Sequence, residues 1–316
     1  SIYGGNGDDL IDGGDGSDQV AQSADVDQTL SDAQLTGQGT DALSGIENAV
    51  LTGGDSANTI DASDFTGSAT LSGGLAADTL KGGSGADAID GGAGDDVLTG
   101  GGGADVLDGG DGSDQVAQSS DSDQTLTDST LDDATLANIE SAQLTGGDSA
   151  NTIDASGFSG SVTIDGGAGD DVLTGGSGSD VIDGGDGSDQ VTLSADADIT
   201  LTDTALSGDT LASIESAQLT GGDGDNTIDA SGFSGSVTMD GGAGSDTLTG
   251  GSGSDVIDGG DGSDEVRSSV DADQTLTDTS LGDDTLASIE RAQLTGGDSA
   301  NTIDASGFSG SATIFG

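Results

Sequence analysis

The sequence predicts an all-β solenoid in which short strands stack in parallel, with about 18 residues in each coil. Three observations predict this fold. A nonapeptide of the form GGxGxDxUx, where U is a large aliphatic residue, recurs in a fixed phase along the chain. The last three residues of each nonapeptide alternate polar, apolar, polar. A longer block recurs at intervals that differ by two nonapeptides.

The nonapeptides hold a strict phase. Twelve of them keep both leading glycines, the glycine at position four and the aspartate at position six, and they lie at 4–21, 82–117, 166–192 and 241–267. A thirteenth, GGLAADTLK at 73–81, has Ala76 at position four. Flexible Gly-Asp low complexity is the alternative interpretation. A disordered chain has no reason to keep an aliphatic residue at every eighth position, so we favour an ordered coil.

Each position of the nonapeptide has a physical role. The alternating end predicts a short strand that is buried on one face, with Ile89 and Leu98 pointing inward. Glycines at positions one, two and four permit positive φ and close backbone approach in the turn. The aspartate at position six cannot be a core residue. Stacked coils would align these carboxylates with backbone carbonyls in oxygen-only rows, which calcium prefers.

The charge of the chain limits its partners. Asp and Glu number 60 against 3 Lys and Arg, for a formal charge of −57. Such a chain would be repelled by nucleic acid and by anionic membrane surfaces. Self-repulsion and low hydrophobicity also favour disorder in the absence of counterions. We therefore expect the chain to be unfolded without metal and folded with it.

The missing residue types limit function further. Cysteine and histidine are absent, so metal binding would replace disulfides, and the usual side chains for acid–base or nucleophilic catalysis are lacking. No hydrophobic run approaches the length of a membrane span, and we recognise no signal peptide at the start.

The nonapeptide runs are themselves part of a longer sequence repeat. The block LTGGDSANTIDASGF occurs at 144–158 and 294–308, with variants at 51–65 and 219–233. The last three starts are evenly spaced, whereas the first interval is longer by two nonapeptides. Two nonapeptides make one whole coil, which a solenoid tolerates as an insertion. We expect one continuous solenoid over 1–316, a piece of a longer array, with large repeats at about 1–72, 73–165, 166–240 and 241–316.

The segments between the nonapeptide runs are spacers such as 193–220. They alternate polar and apolar residues and are expected to form longer strands of the same solenoid; a helix at 211–219 is the alternative. A phenylalanine also recurs once per large repeat at an equivalent position, interpreted as a corner-filling core residue, with a ligand-stacking row as the alternative. These phenylalanines are Phe65, Phe158, Phe233 and Phe308.

Two polar features recur once in each large repeat. An asparagine replaces the position-six aspartate in the unit GGDSANTID, and we expect weak or no metal binding there, or a ladder of asparagine side chains. An acidic pair lies in each spacer and is either solvated or an extra cation site. The asparagines are Asn58, Asn151, Asn226 and Asn301; the pairs are Asp25/Asp27, Asp121/Asp123, Asp196/Asp198 and Asp271/Asp273.

The nonapeptides resemble the RTX, or haemolysin-type calcium-binding, repeats of secreted bacterial proteins, and the spacers resemble those of large adhesin-like RTX proteins. The resemblance implies a right-handed parallel β-roll with Ca²⁺ held between loops of successive coils. It also implies type I secretion and folding triggered by calcium outside the cell. The positions that match the calcium-binding aspartate are Asp9, Asp18, Asp78, Asp87, Asp96, Asp105, Asp114, Asp171, Asp180, Asp189, Asp246, Asp255 and Asp264.

Three functions follow as hypotheses. The first is an extracellular, calcium-rigidified structural solenoid: a surface-layer (S-layer) element, a matrix filament that associates end to end, or an adhesin spacer at the bacterial cell surface. The second is a calcium-binding accessory region of a secreted enzyme; we expect no enzymatic activity in this segment itself. The third is an adhesin that binds ice or glycans, although no regular Thr-x-Thr array is evident.

Overall fold

The computed structural model describes residues 1–316 and contains only β-strands. Because it has no helix, none of its elements could cross a membrane as a helix. The strands up to residue 145 are β1 (Leu10–Asp12), β2 (Gln19–Ser23), β3 (Gln28–Ser31), β4 (Gln34–Thr36), β5 (Thr40–Ser44), β6 (Asn48–Thr52), β7 (Thr59–Asp64), β8 (Ser68–Gly74), β9 (Thr79–Lys81), β10 (Ala88–Ala93), β11 (Val97–Thr99), β12 (Val106–Asp111), β13 (Gln115–Ser119), β14 (Gln124–Thr127), β15 (Thr130–Leu131), β16 (Ala134–Ala137) and β17 (Ser141–Thr145).

The remaining strands follow the same pattern of short segments. They are β18 (Thr152–Gly157), β19 (Ser161–Asp165), β20 (Val172–Thr174), β21 (Val181–Asp183), β22 (Gln190–Ser194), β23 (Ile199–Thr202), β24 (Ala205–Leu206), β25 (Asp209–Ala212), β26 (Ser216–Thr220), β27 (Thr227–Gly232), β28 (Ser236–Asp240), β29 (Ala243–Gly244), β30 (Thr247–Thr249), β31 (Val256–Asp258), β32 (Asp261–Gly262), β33 (Glu265–Ser269), β34 (Gln274–Thr277), β35 (Ser280–Leu281), β36 (Asp284–Ala287), β37 (Arg291–Thr295), β38 (Ile303–Gly307) and β39 (Ser311–Phe315).

Contacts divide the chain into two compact units. The first comprises Ser1–Thr145, Asp154–Thr163 and Gly176–Gly178. The second comprises Gly146–Ile153, Ile164–Gly175 and Ser179–Gly316.

In the first unit, the strands outside the spacers alternate between two mainly parallel sheets. One sheet begins with β1 and includes β9, β11 and β13; the other begins with β2 and includes β8, β10 and β12. The register pairs Ala88 with Val106 and Val97 with Gln115, so each partner lies two nonapeptides further along the chain. This confirms the predicted β-roll and its coil length. Coils that contain the phenylalanine turn are slightly longer, because Thr59 pairs with Thr79.

The core is a thin strip of aliphatic side chains, one from each strand. Leu71, Ile89, Leu107 and Leu136 lie opposite one another on four neighbouring strands, and all of them are buried. Phe65 is also buried, at the corner of a longer coil. Phe158 and Phe233 are equally buried and Phe308 is half-buried, so the structure agrees with the corner-filling interpretation.

The spacers differ from the expectation of longer strands. In the first unit, β14, β15 and β16 form a three-stranded antiparallel meander within the sheet that begins with β2. The meander β3–β4–β5 lies in the other sheet. The prediction of long strands was wrong because short polar turns, such as the one at Asp132 with φ 50°, reverse the chain soon after each strand begins.

The second unit repeats this arrangement. Its sheets begin with β20 and β21, and parallel partners are again separated by two nonapeptides, as Val172 and Gln190 are. The meander β23–β24–β25 lies in one sheet and β34–β35–β36 in the other. Residues 211–219, for which a helix was the alternative, contribute to strands β25 and β26. Each unit therefore has one meander in each sheet.

Candidate metal centre

The position-six aspartates join successive coils through their carboxylates. The backbone N–H of Asp78 donates to Oδ1 of Asp96 at 2.7 Å, and the N–H of Asp96 donates to Oδ1 of Asp114 at 2.8 Å. In the second unit, the N–H of Asp171 donates to Oδ1 of Asp189 at 2.8 Å. One carboxylate oxygen of each accepting aspartate is therefore used within the stack.

The second carboxylate oxygen distinguishes two kinds of turn. In what we term an open turn, the second glycine has a positive φ, as Gly92 does at 103°, and Oδ2 of the aspartate is typically buried without a hydrogen bond. Burial of a charged oxygen without a partner is costly. The aspartates with such an oxygen are Asp9, Asp78, Asp96, Asp114, Asp171, Asp189, Asp246 and Asp264.

In a closed turn, the N–H of the second glycine donates to the side chain at position six. Gly83 donates to Oδ2 of Asp87 at 2.7 Å, and Gly251 donates to Oδ2 of Asp255 at 2.7 Å. These glycines do not have a positive φ. The carboxylates of closed turns are thus hydrogen-bonded through both oxygens, since Oδ1 also accepts from a neighbouring coil.

The remaining three sequence-predicted aspartates are placed differently. Asp18 is half-buried, and Asp180 is buried with its N–H donating to Oδ1 of Asp209 at 2.9 Å. Asp105 lies in an open turn and lines a cavity of about 240 Å³. At the corresponding place in this spacer, Ala134 stands where other spacers have an aspartate, so the carboxylate row ends at Asp105.

A carboxylate oxygen and a backbone carbonyl converge above the first glycine of an open turn. A methyl group built on Gly166 would lie 2.5 Å from Oδ2 of Asp171 and 2.5 Å from the carbonyl oxygen of Gly184 in the next coil. At Gly241 the corresponding oxygens belong to Asp246, at 2.6 Å, and to the next coil. The first position must therefore be glycine, because any larger residue would fill the space toward which these oxygens point.

Burial raises the pKa of most open-turn carboxyls above their ordinary value. For Asp96 the hydrogen bond from the Asp78 N–H opposes this shift, while the negative charges of Asp78, Asp95 and Asp90 add to it. The pKa values of Asp171 and Asp246 shift in the same direction, again with burial as the main cause. The ionised carboxylates are thus destabilised by their surroundings when no cation is bound.

These features fit an oxygen-preferring divalent cation. The unbonded oxygens are carboxylate and carbonyl oxygens, which are the ligands of calcium. No three Asp, Glu, His or Cys side chains cluster as a metal site; the donor set must instead combine about one carboxylate from each turn with backbone carbonyls. Calcium, when bound, supplies the positive charge that the buried carboxylates lack.

Sequence reasoning did not identify a second set of carboxylates, which lie in the spacers. Oε2 of Glu140 accepts the N–H of Asp114 at 2.9 Å, and Oδ1 of Asp41 accepts the N–H of Asp9 at 2.9 Å. The signal was the Asp-x-Leu-x-x-Ile-Glu pattern that most spacers share. The residues in this role are Asp41, Asp209, Asp284, Glu47, Glu140, Glu215 and Glu290.

Three of the four asparagines, Asn58, Asn151 and Asn226, form closed turns of their own. Oδ1 of Asn226 accepts the N–H of Gly222 at 2.9 Å. Successive asparagines lie in different large repeats, so they do not form a ladder. The spacer pair beside this turn, Asp196 and Asp198, accepts backbone N–H bonds from Gly224 and Thr227. Turn capping therefore accounts for this pair without a cation.

Comparison with known families agrees with this geometry. The RTX calcium-binding nonapeptide repeat matches at residues 1–20, 64–98, 82–116, 156–191, 165–199, 218–237 and 238–274, which together cover more than half of the chain. The chain belongs to the RTX calcium-binding repeat family. RTX nonapeptides are calcium-binding motifs that form a β-roll. A search of curated proteins found no match to the RTX chain.

A methyl group at the first glycine of an open RTX turn should weaken calcium binding. We expect Gly166→Ala to destabilise the calcium-bound protein by about 1–3 kcal/mol, because the methyl group overpacks the oxygen cradle. Gly102→Ala is the control, since its methyl group would meet nothing closer than 3.7 Å. Thermal unfolding in calcium measures both, and equal melting temperatures would contradict the cradle.

The raised carboxyl pKa values give the metal-free RTX chain an inverted pH dependence. The folded state binds more protons than the unfolded state, so its stability is greatest below the unfolded pKa of about 3.9 and is lost as pH rises through the higher folded pKa. We expect metal-stripped protein to gain β-structure on acidification. The calcium-bound protein should lose calcium over the same range. Circular dichroism from neutral to acidic pH tests both, and metal-stripped protein that is least ordered in acid would contradict the assignment.

Proposed function

We propose that this chain is an extracellular structural solenoid that folds on binding Ca²⁺ after secretion and serves as a rigid spacer in a bacterial surface or matrix protein. The open-turn aspartates are the calcium ligands in this proposal, together with carbonyl oxygens of the next coil. RTX repeat proteins are typically secreted by bacteria, which supports the extracellular location.

The unbonded Oδ2 atoms carry the proposal. In the first unit Asp78, Asp96 and Asp114 form one row, and each has a buried oxygen that no protein donor reaches. A cation held between such oxygens and the next coil ties one coil to its neighbour. Coupling of this kind stiffens a stack in which each repeat contacts only adjacent repeats.

The large repeats support a spacer role. The blocks at 144–158 and 294–308 are identical, and the variants differ at one or two positions. Near-identical modules suit a length-setting element, whereas a catalytic or ligand-selective surface would need distinct side chains at one place. The proposal accordingly assigns no reaction to this segment. End-to-end association into filaments remains a prediction of the same proposal.

Small-angle X-ray scattering with and without calcium tests the spacer function. A stiff spacer should give a rod-like cross-section profile in millimolar calcium and a flexible-chain profile in chelator. A profile in calcium that fits a flexible chain would contradict the proposal. Electron microscopy in calcium tests self-association, and uniformly dispersed short particles would count against filaments.

A further inference from the structure

The spacer glutamate takes the place of a nonapeptide aspartate. The N–H of Asp189 donates to Oε2 of Glu215 at 2.9 Å, just as the N–H of Asp171 donates to Oδ1 of Asp189 one coil earlier. Glu215 lies in a Ser-Ile-Glu-Ser sequence without the flanking glycines of a nonapeptide. The carboxylate row of the RTX run therefore extends one step into the spacer.

The spacer also supplies the carbonyl oxygen. Ser213 has φ 52°, a backbone conformation that residues other than glycine rarely adopt. Its carbonyl oxygen faces Gly184. One coil earlier, the carbonyl oxygen of Gly184 faces Gly166 in the same way. The strained serine thus places its carbonyl where the first glycine of another nonapeptide would place its own.

The last aspartate of the row points an unsatisfied oxygen at this junction. Asp189 is 0 % exposed, and its Oδ2 receives no hydrogen bond. The same holds for Asp114, which is 0 % exposed and followed by Glu140, whose spacer has Asn138 at φ 51°. Two junctions therefore combine a buried carboxylate oxygen without a hydrogen bond, a second carboxylate, and the carbonyl oxygen of a residue with positive φ.

The fourth large repeat differs by one charge. Asp264 and Glu290 form the corresponding junction, with the N–H to Oε2 bond at 2.9 Å. Here Arg291 follows the glutamate, and its guanidinium donates to the carbonyl oxygen of Ser263 at 2.8 Å. The corresponding Ser216 is neutral and bonds to the carbonyl oxygen of Asp189. A fixed positive charge beside the junction would oppose a bound cation.

We propose that the spacer glutamates of the second and third large repeats each close an additional calcium site with the last aspartate of the preceding run, Glu140 with Asp114 and Glu215 with Asp189, and that Arg291 weakens the corresponding site at Asp264. This inference rests on the proposed calcium-binding function and deepens it. The spacers then contribute calcium ligands as well as length. The bound calcium links the last nonapeptide turn of a run to the spacer that follows it.

Glu215→Gln tests the site. The amide oxygen of glutamine can still accept the N–H of Asp189, so the cap is retained while the charge is removed. We expect the variant to lose one calcium equivalent in equilibrium dialysis with radioactive calcium. Asp223→Asn is the matched control, because Asp223 is an exposed carboxylate of the same large repeat; its calcium count should equal that of the unmodified chain.

Arg291→Ser tests the same inference without removing a ligand. We expect this variant to gain one calcium equivalent at a concentration that leaves the Asp264 site of the unmodified chain empty. Unchanged counts in both Glu215→Gln and Arg291→Ser, with normal calcium binding by the unmodified chain, would overturn this inference alone. Failure of the unmodified chain to bind calcium would overturn the proposed function as well.

Discussion

Removal of calcium is expected to unfold the chain. The aliphatic core is a single strip, and a formal charge of −57 opposes compaction. Without a cation, the buried Oδ2 atoms of Asp78, Asp96 and Asp114 have no hydrogen-bond partner. We therefore expect excess chelator to abolish the β-sheet signal in far-UV circular dichroism and to expose the chain to proteases, with full recovery when calcium is restored.

Two controls separate binding from charge screening. Sodium chloride at matched ionic strength should not restore the fold, because dissolved salt screens the repulsion between buried carboxylates only weakly. Magnesium should restore it poorly, since this smaller ion retains its waters and demands octahedral geometry. Equal compactness and protease resistance in chelator and in calcium would refute the coupling of folding to metal.

The two turn types predict unequal effects for one chemical change. Asp96→Asn alters an open turn and should destabilise the calcium-bound protein by about 1–3 kcal/mol, the range for leaving a buried polar site without its partner. Asp87→Asn alters a closed turn, where the amide keeps only one of the two acceptor oxygens that the N–H groups of Ala69 and Gly83 use. We expect its cost to be similar with and without calcium, because it comes from a lost hydrogen bond and not from a lost cation.

In chelator, the effect of Asp96→Asn on the open turn should be reversed from destabilising to stabilising. Without calcium, Asp96→Asn removes a buried charge that its surroundings destabilise, so the metal-free variant should be more ordered than the unmodified chain. Denaturant unfolding in calcium and circular dichroism in chelator measure the two states. An equal dependence on calcium for the Asp96 and Asp87 variants would show that the turn types do not differ in metal binding.

The nonapeptide phase was enough to predict the coil. A strict nonapeptide repeat with Ile89 and Leu107 at equivalent positions admits one parallel register, and the structure has that register. The phenylalanine corner also followed from the sequence, because Phe65 and its counterparts recur at one position of the large repeat. Local pattern and burial agree in these segments, so sequence alone suffices there.

The division into open and closed turns could not be predicted from the nonapeptides. GGSGADAID and GGAGDDVLT share every defining position, yet Asp87 is in a closed turn and Asp96 in an open one. The neighbouring coil determines which turn type a nonapeptide adopts. In the closed turn of Asp87, Ser84 donates its N–H to the carbonyl oxygen of Phe65 in the preceding coil. The conformation therefore depends on a contact from a distant part of the sequence.

The spacer meanders were missed for a related reason. Thr-Leu-Thr stretches such as 200–202 have the period of a strand in either direction, and period alone does not distinguish parallel from antiparallel pairing. The reversal depends on a few residues with positive φ, such as Asp132 and Ser207, whose identity gives little sign of that conformation. Neither residue type is the glycine that sequence reasoning expects there.

The alternation of the meanders between sheets has a consequence for recognition. Within either compact unit, each of the two sheets carries one meander. A partner that binds a meander therefore finds one binding position on each sheet of the unit. Excision of one of the evenly spaced modules would exchange the two sides for every later module without changing any strand's inward residues. Arrays with odd and even module numbers would fold equally well and still present different faces to a binding protein.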